Sequence, residues 1–186
     1  MAVCTTTLPD ANADKCTYNI HFGRIDMILF TRLGDDLTDV SSTSEWGTRL
    51  DNTTALPAPG TDAPMRYLYG VGTLPLPERT ELTISLGRKT YTSSKHTITF
   101  NVDDTGSVNA TFLNEIQETP QTYALWFVAD GQLYGGNAGI EASVTANGRL
   151  IPESNEEIQT INIIASFEGA LPIPITAPAS VLALVE

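Results

Sequence analysis

The strongest structural signal in the chain is the segment TFLNEIQETPQTYALWFVADGQLYGG, residues 111–136. Large apolar residues follow one another from Leu125 to Val128, which places apolar side chains on both faces of one strand. Asp130 and Gly131 come directly after it and are typical of a tight hairpin, because a type I′ turn needs positive φ at both central positions. The segment therefore predicts a central strand covered on both sides and a short returning strand.

Around this segment the chain alternates between apolar and polar residues, as half-buried strands do. The predicted strands cover residues 25–31, 66–74, 78–86, 95–102, 139–147 and 157–167. Two short helices are predicted, at 43–50 behind a capping box that begins at Ser42 and at 110–118 with an apolar stripe. Asn147-Gly148 predicts a further turn, and two glycines in the strand 66–74 predict a bulge or a close backbone approach. These signals fit an antiparallel β-sandwich or a partly closed barrel.

The chain of 186 residues is long enough for a single domain with extended arms. Residues 1–24 predict an N-terminal arm, 25–168 a β-sandwich core and 169–186 a proline-rich, extended C-terminal arm. The apolar end of that last arm could cover an edge of its own domain or of a neighbour. The proline-rich segment DNTTALPAPGTDAP, residues 51–64, predicts a long loop with a functional role or a reach to a neighbour.

The net charge of −12 disfavours binding to DNA or RNA, which requires Lys and Arg against the phosphates. No signal peptide and no apolar run of about 18 residues is found, so we expect neither secretion nor a membrane span. Folding in a reducing cytoplasm predicts that Cys4 and Cys16 are free thiols, although oxidation could join them.

Catalytic and metal-binding patterns are weak throughout the sequence. His21 and His96 are the only imidazoles, and no Gly-x-Ser-x-Gly motif is present. The segment DDTGS at 103–107 has the composition of a turn and lacks the ligand spacing of a calcium loop. A second reading, in which aromatic residues line a sugar-binding groove, concerns Trp46, Tyr67, Tyr69, Trp126 and Phe127, but their positions favour the core. We therefore predict no catalytic residue, no cofactor and no metal site.

The motifs HTITFNVDD, ATFLNEI, YALWFV, DGQLYGG and LIPESNEEI together resemble the tail tube, or major tail, proteins of long-tailed bacteriophages. The N-terminal segments FGRIDMILFTRLGDDLTDV and SEWGTRLDNTTALPAP are similar to virion proteins of phages that infect Bacteroidetes. The resemblance covers most of the chain and consists of packing patterns. It implies a β-sandwich with a helix at its side, six copies of which form a ring around a lumen, with rings that stack.

For this chain the resemblance implies a non-enzymatic virion protein of the tail, assembled in the cytoplasm of the bacterial host. Its partners would be copies of itself, other phage tail proteins and genome DNA that passes without specific binding, and no membrane. The expected lumen or interface face of the ribbon 78–102 consists of Glu81, Thr83, Ser85, Lys95, Thr97, Thr99 and Asn101. The expected contacts between rings or subunits are Leu56, Pro57, Pro59, Arg88 and Lys89.

Three other functions are compatible with the same sequence. A capsid auxiliary protein or a tail terminator would share the β-sandwich but would not grow into a tube. An extracellular β-sandwich module could bind a ligand or a surface. An enzyme whose site is assembled only by the fold is the remaining class, and carboxylate pairs of the glycosidase type would be of this kind.

Overall fold

A computed structural model describes residues 23–52, 63–84, 88–104, 106, 112–114, 116–117, 121–153 and 158–184. The predicted contacts Leu56, Pro57 and Pro59, together with Ser85, Cys4, Cys16 and His21, lie outside these residues.

The strands are β1 (Ile25–Arg32), β2 (Arg66–Thr73), β3 (Glu78–Thr83), β4 (Lys89–Val102), β5 (Gln121–Ala129), β6 (Gln132–Tyr134), β7 (Ile140–Leu150), β8 (Thr160–Glu168) and β9 (Ile175–Thr176). The two labelled helices are α1 (Thr43–Arg49) and α2 (Ala179–Leu182). Residues 112–114 and 116–117 are also helical and are called the plug segment below.

Six antiparallel strands form a closed barrel. Their order is β1-β2-β4-β8-β7-β5, and β1 pairs again with β5, where Ile28 lies opposite Phe127. The predicted mainly-β, antiparallel fold is therefore confirmed, and the barrel closes fully. β3 extends the sheet only through β4, while β6 and β9 continue it from β5.

The interior of the barrel is filled by one face of each strand. Phe30, Phe100, Leu125 and Ile163 are buried there with the other members of one cluster. The plug segment contributes Leu113 and Ile116, both nearly inaccessible, to the same cluster, as its apolar stripe predicts. The barrel is a packed core, as expected for a barrel of so few strands.

A second core covers the outside of β1 and β5. Met27, Leu29, Trp126 and Val128 point outward from these strands and are covered by Trp46 of α1. The C-terminal residues complete the cover with Ala177 and Val181. Residues Leu125 to Val128 thus divide between the two cores, which confirms that β5 is central and covered on both faces.

The C-terminal segment differs from the extended arm that its prolines predict. Residues 175–176 pair as β9 with β6, and α2 follows with Val181 buried. Of the two possibilities for its apolar end, the structure has the one in which the end covers its own domain. The reason is that Trp126 and its neighbours on β5 offer an apolar surface that burial of Ala177 and Val181 removes from water.

Two turn predictions have different outcomes. Asp130 and Gly131 have φ of 51° and 70°, so the β5–β6 hairpin is confirmed. Asn147-Gly148 is not a turn, because β7 continues through it to Leu150. Gly148 has a φ of 103° and lies at a register shift between β7 and β8, so the positive φ serves a bulge.

The predicted helix at 43–50 is confirmed as α1, but only half of its capping box forms. The Ser42 hydroxyl accepts from the Glu45 N–H at 3.2 Å. The Glu45 carboxylate does not return to Ser42; its two oxygens accept from the N–H groups of Thr38 and Asp39 at 2.8 and 3.0 Å. Glu45 therefore anchors the preceding loop to the first turn of the helix.

The prediction for the two glycines of β2 is confirmed as a close backbone approach. A β-carbon on Gly70 would overlap the carbonyl oxygen of Asn101 on β4, and one on Gly72 would overlap the ring of Phe100. These glycines allow the backbones of the neighbouring strands β2 and β4 to approach each other closely. Among the residues described, no helix has both the length and the apolar character needed to span a membrane.

Candidate assembly surfaces

The most unusual surface is a two-stranded ribbon made of β3 and residues 89–94 of β4. The predicted strands 78–86 and 95–102 leave residues 87–94 as the connection between them, but from Lys89 onward these residues belong to β4 and pair with β3. The prediction was wrong because these polar residues form strand through backbone pairing, without burying an apolar face. β4 reaches β8 only from Lys95 onward, so the ribbon extends past the end of the barrel.

Both edges of this ribbon are open over the part of the chain that the structure describes. β3 pairs with β4 alone, which leaves its outer edge without a neighbouring strand. On the other side, residues 89–93 of β4 lie beyond the last pair with β8, which is Lys95 with Glu168. A strand edge that no other strand covers can pair with a further strand.

The faces of the ribbon are exposed as well. Every residue of β3 is exposed, including Glu81 and Thr83 on the predicted polar face. On the opposite face, Leu82 and Ile84 keep 50% and 40% of their surface accessible, so the described residues do not cover the predicted apolar face. The ribbon thus combines open edges with an apolar surface that no other described part of the molecule covers.

The basic residues near the ribbon tip have different environments. Lys89 Nζ lies 2.6 Å from Glu81 Oε1 across the ribbon, where both side chains remain accessible. Lys89, one of the expected contacts between rings or subunits, therefore has a carboxylate partner within its own chain. Arg88 is exposed, and its carbonyl oxygen accepts from the Ile84 N–H at 2.8 Å to close the tip.

The predicted strand face of β4 forms part of a broad wall on the outside of the barrel. Ile98, Phe100 and Val102 point into the barrel, so the alternating residues point outward. Neighbouring strands β7 and β8 add polar residues to this wall. Its members are Lys95, Thr97, Thr99 and Asn101 on β4, Ser143 and Thr145 on β7, and Asn162, Ile164 and Ser166 on β8. The wall is rich in uncharged hydroxyl and amide groups, and Lys95 at its end pairs in register with Glu168.

A ladder of amide side chains crosses this wall. Asn147 Nδ2 donates to Asn162 Oδ1 at 3.0 Å, and Asn162 Nδ2 donates to Asn101 Oδ1 at 2.9 Å. The three residues lie on β7, β8 and β4, so the ladder runs across the strands. A shallow concavity of about 430 Å³ lies farther along the wall, between Ser143 and Lys95.

The residues considered as catalytic or metal-binding candidates take part in packing and turn contacts. The His96 ring stacks on Phe167, with centroids 4.7 Å apart, and its Nε2 lies 3.1 Å from the carbonyl oxygen of Gly169. No group of three or more His, Cys, Asp or Glu that could hold a metal is found among the described residues. In the predicted turn at 103–107, Asp104 Oδ1 accepts from the Gly106 N–H at 2.9 Å.

The aromatic residues considered for a sugar groove do not form one surface. Trp46, Trp126 and Phe127 are buried in the two cores. Tyr69 is 39% exposed on β2 and its ring stands edge-on to Tyr67, with centroids 5.7 Å apart. Partial burial, and secondarily the neighbouring Tyr67, raise the pKa of the Tyr69 hydroxyl above 10.0.

Comparison with known proteins finds no matching family model, no matching curated protein and no matching solved structure. The function must therefore be inferred from the ribbon and the wall. The alternating residues of 139–147 and 157–167 signal the wall in the sequence. The open edge of residues 89–93 has no such signal, since its residues are polar and resemble a loop.

Proposed function

We propose that this protein is a non-enzymatic subunit of a long-tailed bacteriophage tail tube. Copies of the chain join laterally into hexameric rings, the rings stack, and genome DNA passes through the lumen without specific binding. The protein would then be located in the tail of the virion and would contact other tail proteins at the ends of the tube. The observation that carries this proposal is the ribbon with its two open edges.

The ribbon supports lateral joining because its edges belong to antiparallel strands. If β3 of one copy lies beside residues 89–93 of the next, the strands of successive copies alternate in direction, as in any antiparallel sheet. Each copy then gives one edge and receives another, which is a heterologous contact that can close into a ring. Joining would cover strand edges that otherwise invite aggregation.

Closure of the barrel restricts where this joining can occur. The ring that the resemblance implies needs strands that join between subunits, and the predicted strands 139–147 and 157–167, each with one polar face, could supply them. In the structure β7 and β8 pair with each other and with β5 and β4 inside one barrel. We therefore assign lateral joining to the ribbon and give β7 and β8 the role of wall.

The wall supports the passage of DNA by its scarcity of cationic side chains, since Lys95 is the one cation among the wall residues named above. Thr97, Thr99 and Asn101 of β4 face outward between neutral residues of β7 and β8. A polyanion beside such a surface finds few Lys or Arg residues to replace its counterions, so it is not held. The sequence alone suggests repulsion by the net charge of −12; the wall instead favours neutrality at the lumen.

Negative-stain electron microscopy of the purified protein at rising concentration tests the proposal. We expect rings with a central hole and short tubes. Leu82→Lys places a charge on the apolar face of the ribbon, where Leu82 is half exposed in the isolated chain. This variant should remain folded by circular dichroism and should lose the rings.

Thr83→Lys is the matched control, since it adds the same charge to the next residue of β3 on the opposite face of the ribbon. Loss of rings in Leu82→Lys alone would assign the contact to the apolar face. Discrete rings that never stack would favour a capsid auxiliary or tail terminator protein. A monomer at every concentration and salt condition would contradict the proposal and favour an extracellular binding module.

A further inference from the structure

The amide ladder on the wall contains one asparagine that is followed in sequence by glycine. Asn147 precedes Gly148, and no other Asn-Gly pair occurs in the chain. The other ladder members, Asn101 and Asn162, precede valine and isoleucine. An asparagine loses its side-chain amide when the backbone nitrogen of the next residue attacks Cγ, and a β-branched side chain on that residue obstructs the attack. Asn147 is therefore the ladder member most open to this reaction.

The backbone at Asn147 departs from regular strand pairing. After a register shift, the pairing of β7 with β8 resumes at Gly148 with Asn162, so Asn147 itself has no Cα partner. The extra residue of a bulge is left unpaired in this way. β5 pairs with β7 only as far as Val144, so among the described residues no strand pairs with Asn147 on that side either. Rotation of its backbone toward a ring-closing geometry thus disturbs less strand pairing than at a regular position.

The outside of the wall leaves space for the reaction. Asn147 is exposed, and a β-carbon placed on Gly148 would meet no atom within 4 Å. Gly148 has a φ of 103°, a conformation that residues with a side chain rarely adopt. The glycine that the bulge requires is thus the same glycine that leaves Asn147 open to attack and to water.

We propose that Asn147 is a site of spontaneous deamidation. The Gly148 nitrogen loses its proton to a solvent base and bonds to Asn147 Cγ, and the Cγ–Nδ2 bond breaks as the leaving group takes up a proton from solvent and departs as ammonia. Water then adds to either carbonyl of the succinimide and opens the ring to aspartate or isoaspartate. One water is consumed and one ammonia is released. This inference does not rest on the proposed function, because the reacting groups belong to one chain and to solvent.

The ladder restrains the side chain that reacts. Asn147 Nδ2 donates to Asn162 Oδ1 at 3.0 Å, which holds the amide toward β8. Ring closure requires Asn147 Cγ to turn toward the Gly148 nitrogen, so this bond is given up first. The net contribution of one such hydrogen bond corresponds to a slowing of about fivefold. Asn162 is thus a positioning residue that protects Asn147.

Deamidation reverses the direction of the ladder. In the intact protein Asn147 donates to Asn162, and Asn162 Nδ2 donates to Asn101 Oδ1 at 2.9 Å. A carboxylate at position 147 only accepts hydrogen bonds, so it requires the Nδ2 of Asn162 in place of its Oδ1. When the Asn162 amide turns over, its oxygen faces Asn101, whose amide turns over in the same way. The wall keeps its hydrogen bonds and gains one negative charge.

Peptide mass spectrometry of the folded protein, incubated in mildly alkaline buffer, tests the site. We expect position 147 to change from amide to acid, in aspartyl and isoaspartyl forms, while Asn101 and Asn162 remain amides. Asn147→Gln is the matched control and should stay intact, because glutamine must close a larger ring. An unchanged Asn147, under conditions in which a free peptide of residues 144–150 deamidates, would overturn the proposal.

Two variants of the ladder test the protection by Asn162. Asn162→Leu removes the acceptor and should speed the loss of the Asn147 amide about fivefold. Asn101→Leu is the matched control, since it breaks the other bond of the ladder and leaves the Asn147–Asn162 bond in place. Circular dichroism checks that both variants fold. Equal rates in the two variants would contradict the protective role of Asn162.

The reversal of the ladder has its own measurement. In Asn147→Asp, the side-chain amide protons of Asn162 should shift downfield in the NMR spectrum, because a charged acceptor forms a shorter and stronger hydrogen bond. Asn147→Ser places a neutral group at the same position and should not give this shift. Identical Asn162 signals in the two variants would overturn the reversal.

Discussion

The indole ring of Trp46 stands edge-on against that of Trp126, with ring centroids 5.9 Å apart and planes at 88°. Neither residue has measurable exposure. Each indole N–H also has a backbone acceptor, Val40 O at 2.8 Å for Trp46 and Gly136 O at 2.7 Å for Trp126. This pair joins α1 to the outer face of β5 and is the centre of the second core.

Replacement of Trp46 by alanine should therefore lower the free energy of unfolding by about 3–5 kcal/mol, as for other buried aromatic residues. The loss has two sources, the cavity under α1 and the unpaired carbonyl oxygen of Val40. Chemical denaturation followed by circular dichroism measures it. Val71→Ala, at a position that is 40% exposed, is the control and should change stability by less than about 1 kcal/mol.

Arg49 is the most deeply buried cation among the described residues, at 3% exposure, and it bonds to three backbone carbonyl groups. Its Nη2 donates to Asp35 O at 2.6 Å, its Nη1 to Asp36 O at 2.9 Å and its Nε to Ala63 O at 3.0 Å. The guanidinium group thereby fixes the loop after β1 to the segment that enters β2. Arg49→Met leaves these carbonyl groups without a donor and should cost about 3 kcal/mol or more of stability.

Two further variants show whether the arrangement of donors matters at this position. Arg49→Lys keeps the charge but presents one ammonium group, which cannot reach three separated carbonyl groups in the same way, so it should restore only part of the stability. Arg24→Met removes a guanidinium that is 64% exposed beside Asp26, and an effect below about 1 kcal/mol is expected there. Equal losses for Arg49→Met and Arg24→Met would contradict the role of Arg49.

Gly70 and Gly34 are positions where glycine is required for two different physical reasons. Gly70 faces the Asn101 carbonyl so closely that a methyl group would overlap it, and backbone cannot move aside cheaply. Gly34 has open space around it but a φ of 84°. Gly34→Ala should cost about 1 kcal/mol from backbone strain alone, whereas Gly70→Ala should cost more, by forcing β2 away from β4. Thermal unfolding of the two variants, compared with the original chain, measures the difference.

The pKa of Asp39 is lowered from its ordinary value of 3.8, first by the Ser41 hydroxyl and then by the Ser41 N–H. These donors lie 2.7 and 2.9 Å from Asp39 Oδ1. A depressed carboxylate pKa in the folded state adds stability above the unfolded value, and the contribution is lost as pH falls through the folded pKa. The relevant window therefore lies below 3.8.

Carboxyl carbon chemical shifts followed by NMR during an acid titration measure this pKa directly. Ser41→Ala removes the hydroxyl donor and keeps the N–H, so the pKa of Asp39 should rise part of the way to 3.8. An unchanged Asp39 titration in the variant would show that the hydroxyl bond does not form in solution.

The sequence predicts the local features of this fold well where a residue type at a given position is compatible with one local structure. The apolar run from Leu125 to Val128 requires cover on two sides, and both cores supply it. Asp130-Gly131 predicts its hairpin, and the glycines of β2 predict a close approach. The polar outer face of β4 is likewise evident from its alternation.

The long-range features could not be predicted in the same way. A period of two shows which side chains share a face but not which strand lies alongside, so the pairing of β1 with β5 that closes the barrel has no local signal. Residues Lys89 to Ser94 have the sequence of a connection, because strand formation there depends on backbone pairing with β3. The prediction of a turn at Asn147-Gly148 was wrong, because a positive φ at glycine suits a bulge as well as a turn.

The closure of the barrel has a consequence for the order of folding. Partners in the ribbon, such as Glu81 and Tyr91, are near neighbours in sequence, whereas Ile28 and Phe127 must meet from opposite halves of the chain. Local hairpins form in about 1–10 μs, and distant pairings are slower because a long loop must first close. The ribbon can thus form transiently while the rest of the polypeptide is still unfolded, at a stage when premature joining between nascent chains is a hazard. The Lys89–Glu81 pair on its surface would then act as a gatekeeper against misassembly during synthesis.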